Sequence, residues 1–199
     1  MADNFSVTIR GISTIRDLDK LSRNQQVIAS RAINQIARRT RTNSAVRLRD
    51  QLNFPARYLS GQDGKIELKT ASPGNLQAVL SASSQPRSLA RFVKGSARGR
   101  GKVKVEVQPG GVRSMPGAFL LNLNKGGDSS LLAIRSPTKP AGAFRPRRLG
   151  KSLWLLYGPS VSQALLHNDA RAGIWVEIED DVANALEAEY LRQLKVEGF

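Results

Sequence analysis

The sequence predicts an α+β fold, with a long N-terminal helix and an acidic C-terminal helix packed on a small antiparallel β-sheet or partial barrel with long basic loops. Three observations lead to this prediction. A stretch without Gly or Pro runs from residue 15 to about residue 52, as expected for a long helix. Short apolar runs separated by Gly and Pro follow, and an amphipathic acidic segment closes the chain. At 199 residues, we expect one domain over 1–199.

The first predicted element is a β-strand. Phe5, Val7 and Ile9 alternate with polar residues, which is the period of a half-buried strand, and Gly11 ends the pattern.

The long helix is predicted to begin after Thr14, because Asp17 lies three residues later and can act as an acidic variant of the capping box. Apolar residues share one helical face, and Arg31 and Arg38 project from the opposite face. The residues on the apolar face are Ala29, Ile33, Ile36 and Ala37. This pattern shifts around residues 40–44, where we expect a bend or a weak turn.

A sheet is predicted for the middle of the chain. The strand-like runs are 65–70, 76–82, 103–107, 118–123 and 131–135. Residues 102–107 alternate most clearly, with valines on one face and charged residues on the other. Two Gly- or Pro-rich basic segments, at about 94–102 and about 136–150, are expected to be mobile loops.

The C-terminal part begins with the apolar run 153–157, after which Ser160 is expected to cap a short helix that ends near Leu166. An amphipathic helix is predicted over 180–194, because an apolar stripe recurs every four residues there. The stripe consists of Val182, Leu186, Tyr190 and Leu194.

Charge is unevenly distributed along the chain. Residues 86–151 hold fifteen Lys and Arg against two acids, a net charge of +13, whereas residues 1–85 sum to +7 and residues 152–199 to −5, for a total of +15. A concentrated positive field attracts phosphates without reading base sequence. We therefore expect a large polyanion, duplex DNA above all, as a partner. The residues expected to face its phosphates are Arg31, Arg38, Arg41, Arg98, Arg100, Lys102 and Lys104.

The acidic C-terminal helix suggests a second use of the charge, since it can meet the basic surface of a neighbouring copy. Opposite-sign patches on one chain favour head-to-tail association, which closes into a ring if the rotation permits. The residues expected at this oligomer or partner interface are Leu186, Glu187, Tyr190, Leu191 and Leu194.

Enzymatic and metal sites are not expected. His167 is the only histidine, and Ser160 and Asp169 lie in the same short stretch instead of being brought together by a scaffold. The chain has no Cys, so thiolate catalysis and Cys-ligated metals are excluded, and no cofactor is implied. No apolar run is long enough to span a bilayer, and the N-terminus resembles no signal peptide, so we expect a soluble protein that does not bind membranes.

Several segments resemble the minor tail protein Z family of long-tailed bacteriophages and prophages, also called tail completion proteins. The resemblance spans most of the chain. It is most specific in residues 88–92 and 157–161. The segments are Arg31-Ala32-Ile33-Asn34 with Arg38-Arg39-Thr40-Arg41, Phe54-Pro55-Ala56-Arg57-Tyr58, Ser88-Leu89-Ala90-Arg91-Phe92, Gly117-Ala118-Phe119 and Leu155-Leu156-Tyr157-Gly158-Pro159-Ser160-Val161. The resemblance ends in the acidic helix, with Leu186-Glu187 and Leu191-Arg192-Gln193. The chain departs from the family pattern in the Gly/Arg-rich segment 95–101.

The resemblance implies a structural virion protein at the head-proximal end of a phage tail, made in the bacterial host cytoplasm. Such a protein is expected to form a ring, most simply a hexamer, around the DNA channel. The ring is expected to contact the tail terminator, the tail tube or neck proteins. The alternative is a free protein that binds nucleic acid without sequence preference, as the charge alone would support. A third reading, a packaging-associated nuclease or peptidase, would require metal-dependent or Ser160-dependent activity.

Overall fold

A computed structural model describes residues 5–10, 22–55, 58–59, 65–95, 103–122, 130–142, 145–168, 171–172 and 174–198. The helices are α1 (Arg23–Gln51), α2 (Val161–Leu166) and α3 (Ile174–Val196), with a 3-10 helix at Leu89–Phe92. The strands are β1 (Phe5–Arg10), β2 (Ile66–Lys69), β3 (Gln77–Ala82), β4 (Val93–Lys94), β5 (Val103–Glu106), β6 (Val112–Met115), β7 (Ala118–Asn122), β8 (Ser130–Arg135), β9 (Arg145–Arg148), β10 (Leu153–Tyr157), β11 (His167–Asn168) and β12 (Arg171–Ala172).

The described strands form four separate sheets, all with antiparallel pairing. Their strand orders are β1-β3-β2, β4-β5-β6, β7-β8-β10-β9 and β11-β12. The predicted α+β class, with a long N-terminal helix, small antiparallel sheets and a C-terminal helix, is confirmed. The sheets do not close into a barrel.

Helix α1 begins later than the sequence pattern predicts. Ser22 is its N-cap, with an extended backbone at φ −58° and ψ 157°. Its hydroxyl accepts a hydrogen bond from the Gln25 N–H, and the Gln25 side chain accepts one from the Ser22 N–H, which completes a capping box. The prediction of one continuous helix from residue 15 to about residue 52 is therefore wrong, because the Ser22 backbone is not helical and α1 begins after it. The predicted cap at Thr14 and Asp17 lies outside the described residues.

Helix α1 stays helical over residues 40–44, so the weak turn predicted there as one of two possibilities is wrong, and the bend stays a prediction. Thr40, Ser44 and Leu48 continue the buried side of the helix at four-residue spacing. The Thr40 hydroxyl donates to the main-chain oxygen of Ile36 at 2.9 Å, one turn earlier. Small hydroxyl residues thus occupy buried positions, where the apolar pattern alone breaks off.

Two apolar clusters make up the core. The larger joins the end of α1 to α2 and the sheets, through side chains such as Leu48, Leu80, Leu156 and Leu165. The second lies between α1 and α3, and it also takes in apolar residues of β3 and of the chain just before it. Each fully buried Leu or Ile contributes about 1.5–3 kcal/mol of hydrophobic stabilisation.

Two predicted local features are confirmed. The Ser160 hydroxyl accepts a hydrogen bond from the Gln163 N–H at 3.1 Å, so Ser160 caps α2 as expected. In β5, Val103 and Val105 are buried and Lys104 is exposed, as the alternating pattern predicts.

The segment predicted as a mobile loop over 136–150 contains a strand. Residues 145–148 form β9, which pairs with β10. Among the described residues, no helix is long and apolar enough to cross a membrane.

Candidate nucleic-acid interface

An arginine stripe runs along the exposed side of α1, and we define it as Arg31, Arg38 and Arg49. At 100° per residue the three positions fall within about 20° of one another, and at about 1.5 Å rise per residue the stripe is about 27 Å long. All three side chains are exposed because the opposite face of α1 packs into both core clusters. The predicted orientation of Arg31 and Arg38, away from the apolar face, is thus confirmed.

One acidic residue of α3 and one just after its end pair with two of the arginines on α1. Arg31 bonds to Glu197 at 2.7 Å, and Arg47 bonds to Asp181 at 3.3 Å. The side chains of Arg31 and Glu197 are 56% and 43% exposed, so the pair contributes about 0–1 kcal/mol. A phosphate can therefore displace Glu197 from Arg31 at little cost.

Two arginines of the stripe, Arg38 and Arg49, make no ion pair within the described part of the chain. Arg41, which is also expected to face phosphate, has a structural contact instead. Its Nε donates to the main-chain oxygen of Ile66 at 2.9 Å and so links α1 to β2. The side chain of Arg41 is only partly exposed.

The exposed Lys104 lies on the outer face of the sheet β4-β5-β6. Lys94 is directly opposite it in the register, which places two like charges side by side. Glu106 relieves this repulsion through an ion pair with Lys94 at 2.7 Å. The hydrogen bond from Lys94, followed by one from the Gly110 N–H, lowers the pKa of the Glu106 carboxyl.

Three residues expected to contact phosphate, Arg98, Arg100 and Lys102, lie outside the described residues.

Strand β9 contains three arginines in a segment that the sequence predicts to be a loop. Its sequence is Arg145-Pro146-Arg147-Arg148, at the edge of the four-stranded sheet, where proline and cations also protect an open strand from pairing with another chain. Arg145 and Arg147 are exposed and make no ion pair within the described residues. Arg148 instead donates to the main-chain oxygens of Gly150 and Lys151 and lies over the Trp154 ring.

The residues predicted for an oligomer or partner interface divide into two groups. Leu186 and Tyr190 are 5% and 7% exposed, and they pack with the partly buried Leu194 against the chain's own α1. Burial raises the pKa of the Tyr190 hydroxyl. Leu191, 51% exposed, and the exposed Glu187 remain on the outer surface of α3. These two residues are the part of the predicted set that another molecule can reach.

Three segments far apart in the sequence come together around Tyr58. The Tyr58 ring stacks on Phe54, and the Phe54 ring contacts Phe92, with centroids 5.6 Å and 5.3 Å apart. Gly158 fits closely against this group, because an added Cβ would lie 2.9 Å from a Leu89 methyl carbon.

The Gly158 N–H also donates to the Arg87 oxygen at 2.7 Å. The segments around Tyr58, Leu89 and Gly158 are far apart in the sequence, and no local sequence pattern predicts that they are in contact.

Comparison of the chain with protein-family models, with curated proteins and with solved structures finds no match.

Proposed function

We propose that this chain is a structural component of a phage particle at the head-proximal end of the tail, where copies form a ring around the DNA channel. The observation that carries the proposal is that exposed arginines without an acidic partner among the described residues are grouped on α1 and on β9. They include Arg38 and Arg49 on α1 and Arg145 and Arg147 on β9. The proposal also depends on the sequence resemblance described above.

The chemistry of these arginines suits contact with a DNA backbone. Guanidinium groups on a helix face and on a strand edge can neutralise phosphates without reading bases. Such contact weakens steeply as salt rises. A channel from which DNA must later leave needs weak, sequence-independent contacts of this kind.

The proposal of a ring is supported by the separation of acidic and basic patches on the surface of the chain. Leu191 and Glu187 on α3 present an apolar and an acidic group, whereas α1 and β9 present cations. A surface with two unlike patches favours head-to-tail contacts between copies. The exposed Leu191 is a suitable apolar contact for such an interface.

The mass of the full-length protein in solution tests this proposal. We would measure light scattering after size exclusion at moderate and at high salt, for the protein alone, with tail components and with duplex DNA. A closed oligomer, or a monomer that assembles into one on tail components, supports the proposal. A protein that stays monomeric with tail components and with DNA contradicts it.

The alternative function is a free, non-specific nucleic-acid-binding protein, which the accessibility of the arginine stripe in a single chain favours. Duplex binding by the monomer at micromolar concentration in near-physiological salt, with no response to tail components, would support this alternative.

A further inference from the structure

Two arginines converge on one buried tyrosine. The guanidinium carbon of Arg91 lies 4.9 Å from the centre of the Tyr58 ring, and that of Arg87 lies 5.5 Å from it. Both distances are within the range of cation–π attraction. The Tyr58 residue is only 7% exposed, whereas both arginines are partly exposed. The two cations are therefore held at the boundary between the core and the solvent.

Two polar atoms of this group, the Arg87 Nε and the Tyr58 hydroxyl, are buried, and neither makes a well-oriented hydrogen bond within the described part of the chain. No carboxylate among the described residues pairs with Arg87 or Arg91. A buried donor without an acceptor costs about 1–3 kcal/mol. An acceptor from outside the chain would recover that cost.

Burial raises the pKa of the Tyr58 hydroxyl, and the charge of Arg87, a close but poorly oriented contact of the Arg87 side chain with the hydroxyl, and the charge of Arg91 oppose that rise. The hydroxyl is thus a neutral donor at neutral pH. We call Tyr58, Arg87 and Arg91 the Tyr58 cluster. Each of its polar side chains can donate a hydrogen bond, and the guanidinium groups cannot accept one.

The surrounding structure fixes where these donors lie. Ser88 caps the 3-10 helix between the two arginines, and its hydroxyl accepts hydrogen bonds from the Ala90 N–H and from the Leu132 N–H of β8. Tyr58 is held by its stack on Phe54. Because the Tyr58 ring and the main chain that carries both arginines are positioned before any ligand arrives, we expect binding to lose less conformational entropy.

We propose that the Tyr58 cluster is a binding site for one phosphate group. Two guanidinium groups supply a charge of +2 and forked N–H donors, which match the several oxygens of a phosphate. The two oxygens of a carboxylate lie in one plane and match a single guanidinium fork, whereas the tetrahedral oxygens of a phosphate can accept from guanidinium groups in two directions. The phosphate can be free, or it can belong to a nucleic-acid backbone. The site goes beyond the proposed function and does not require that the protein forms a ring.

The first experiment follows thermal unfolding and NMR shifts of the full-length protein as sodium phosphate replaces sodium chloride at constant ionic strength and neutral pH. We expect saturable stabilisation by phosphate, together with shifts of the Arg87 and Arg91 Nε–H signals. Tyr58→Phe and Arg91→Lys retain ring and charge, respectively, and should weaken phosphate binding by about tenfold or more, since each loses donors. Arg113→Gln, on the exposed edge strand β6, removes a charge elsewhere and should leave binding unchanged.

The second experiment separates the two sources of phosphate. If inorganic phosphate competes with a short duplex for the wild-type protein, and Arg91→Lys weakens both, the site takes backbone phosphate. If the duplex binds equally well to Arg91→Lys while phosphate does not, the site takes a free phosphate.

The proposal is overturned if the wild-type protein shows no shift of Arg87 or Arg91 signals and no stabilisation beyond that of chloride. It is also overturned if a glutamate-rich peptide binds at the Tyr58 cluster and phosphate does not, since the site would then take a carboxylate of a protein partner. The wild-type titration decides the matter even if a variant fails to fold.

Discussion

The side-chain amide of Asn34 and the main chain of Ala71 form hydrogen bonds in both directions. The Asn34 Nδ2 donates to the Ala71 oxygen at 2.9 Å, and the Ala71 N–H donates to the Asn34 Oδ1 at 2.7 Å. Ala71 is 8% exposed and lies between β2 and β3. This pair attaches the middle of α1, and with it the arginine stripe, to the first sheet.

Asn34→Ala should destabilise the protein. It leaves a nearly buried N–H and a nearly buried C=O without partners, and each costs about 1–3 kcal/mol when unmet. We therefore expect the free energy of unfolding in urea to fall by about 2 kcal/mol or more. Gln35→Ala, at the exposed neighbouring position, should change it by no more than about 0.5 kcal/mol. Equal effects from the two variants would mean that the Asn34 pair contributes nothing.

Gly158→Ala should also destabilise the fold, for a steric reason. The new Cβ would lie 2.9 Å from a Leu89 methyl carbon and 3.3 Å from the Phe92 ring, and both side chains are buried. Overpacking of this kind costs about 1–3 kcal/mol. Gly74→Ala is the matched control, because its Cβ would meet nothing within 4 Å. If Gly158→Ala unfolds at the same denaturant concentration as the wild type, Gly158 does not pack tightly against Leu89 and Phe92.

Leu186→Ala and Leu191→Ala should have different effects. Leu186 is buried between α3 and α1, and its truncation should lower the free energy of unfolding by about 2–5 kcal/mol. Leu191 is half exposed, and its truncation should leave stability within about 0.5 kcal/mol but reduce self-association. Urea unfolding and light scattering measure the two effects separately. A Leu191→Ala protein with unchanged assembly would remove α3 from the proposed interface.

Acid should destabilise the protein through Glu106. Its folded pKa is lowered, first by the hydrogen bond from Lys94, below the ordinary value of 4.5. A carboxyl of this kind contributes stability that is present above the unfolded pKa and is lost as the pH falls through the folded pKa.

The free energy of unfolding, measured from pH 7 to pH 3, should therefore decline below about pH 4.5. The decline should be shallower in Glu106→Gln than in the control Glu67→Gln, which alters an exposed acid of β2. Identical acid limbs in the two variants would contradict a lowered Glu106 pKa.

Glu197→Gln should strengthen duplex binding. The carboxylate of Glu197 holds Arg31 at 2.7 Å on the exposed arginine stripe, so its removal frees one cation for a phosphate. We expect affinity in a low-salt filter-binding or anisotropy assay to rise by roughly threefold. The control Glu189→Gln also removes one negative charge, but it releases Arg192, which lies outside the arginine stripe. An equal gain in both variants would indicate an effect of net charge alone.

The sequence predicts the elements in which apolar residues recur at a regular spacing. Strand β1, strand β5 and helix α3 have such a spacing, and the Ser160 cap is also predicted from neighbouring residues. The pattern predicts the wrong start for α1 because Thr14 and Ser22 are both suitable N-cap residues, and no Gly or Pro separates them. Ser22 forms the helix cap, with Gln25 as its reciprocal partner.

Tertiary partners account for the features that the sequence does not predict. Strand β9 contains a proline and three arginines, a composition typical of a loop, and it is a strand only because β10 lies beside it. The apolar stripe on α3 is evident from its spacing, but periodicity does not reveal that the chain's own α1 covers Leu186 and Tyr190. The Tyr58 cluster depends on contacts between residues about thirty positions apart, for which the sequence has no local signal.

The salt dependence of duplex DNA binding by the full-length protein tests the central claim most directly. We would compare the wild type with Arg38→Gln/Arg49→Gln and with Arg145→Gln/Arg147→Gln, on duplexes of unrelated sequence. We expect equal affinity for all sequences and a linear fall of log K with log salt, and each double variant should reduce the slope by up to about 1.8. Unchanged slopes in both double variants, or a strong preference for one sequence, would contradict the proposal that these arginines face a DNA backbone.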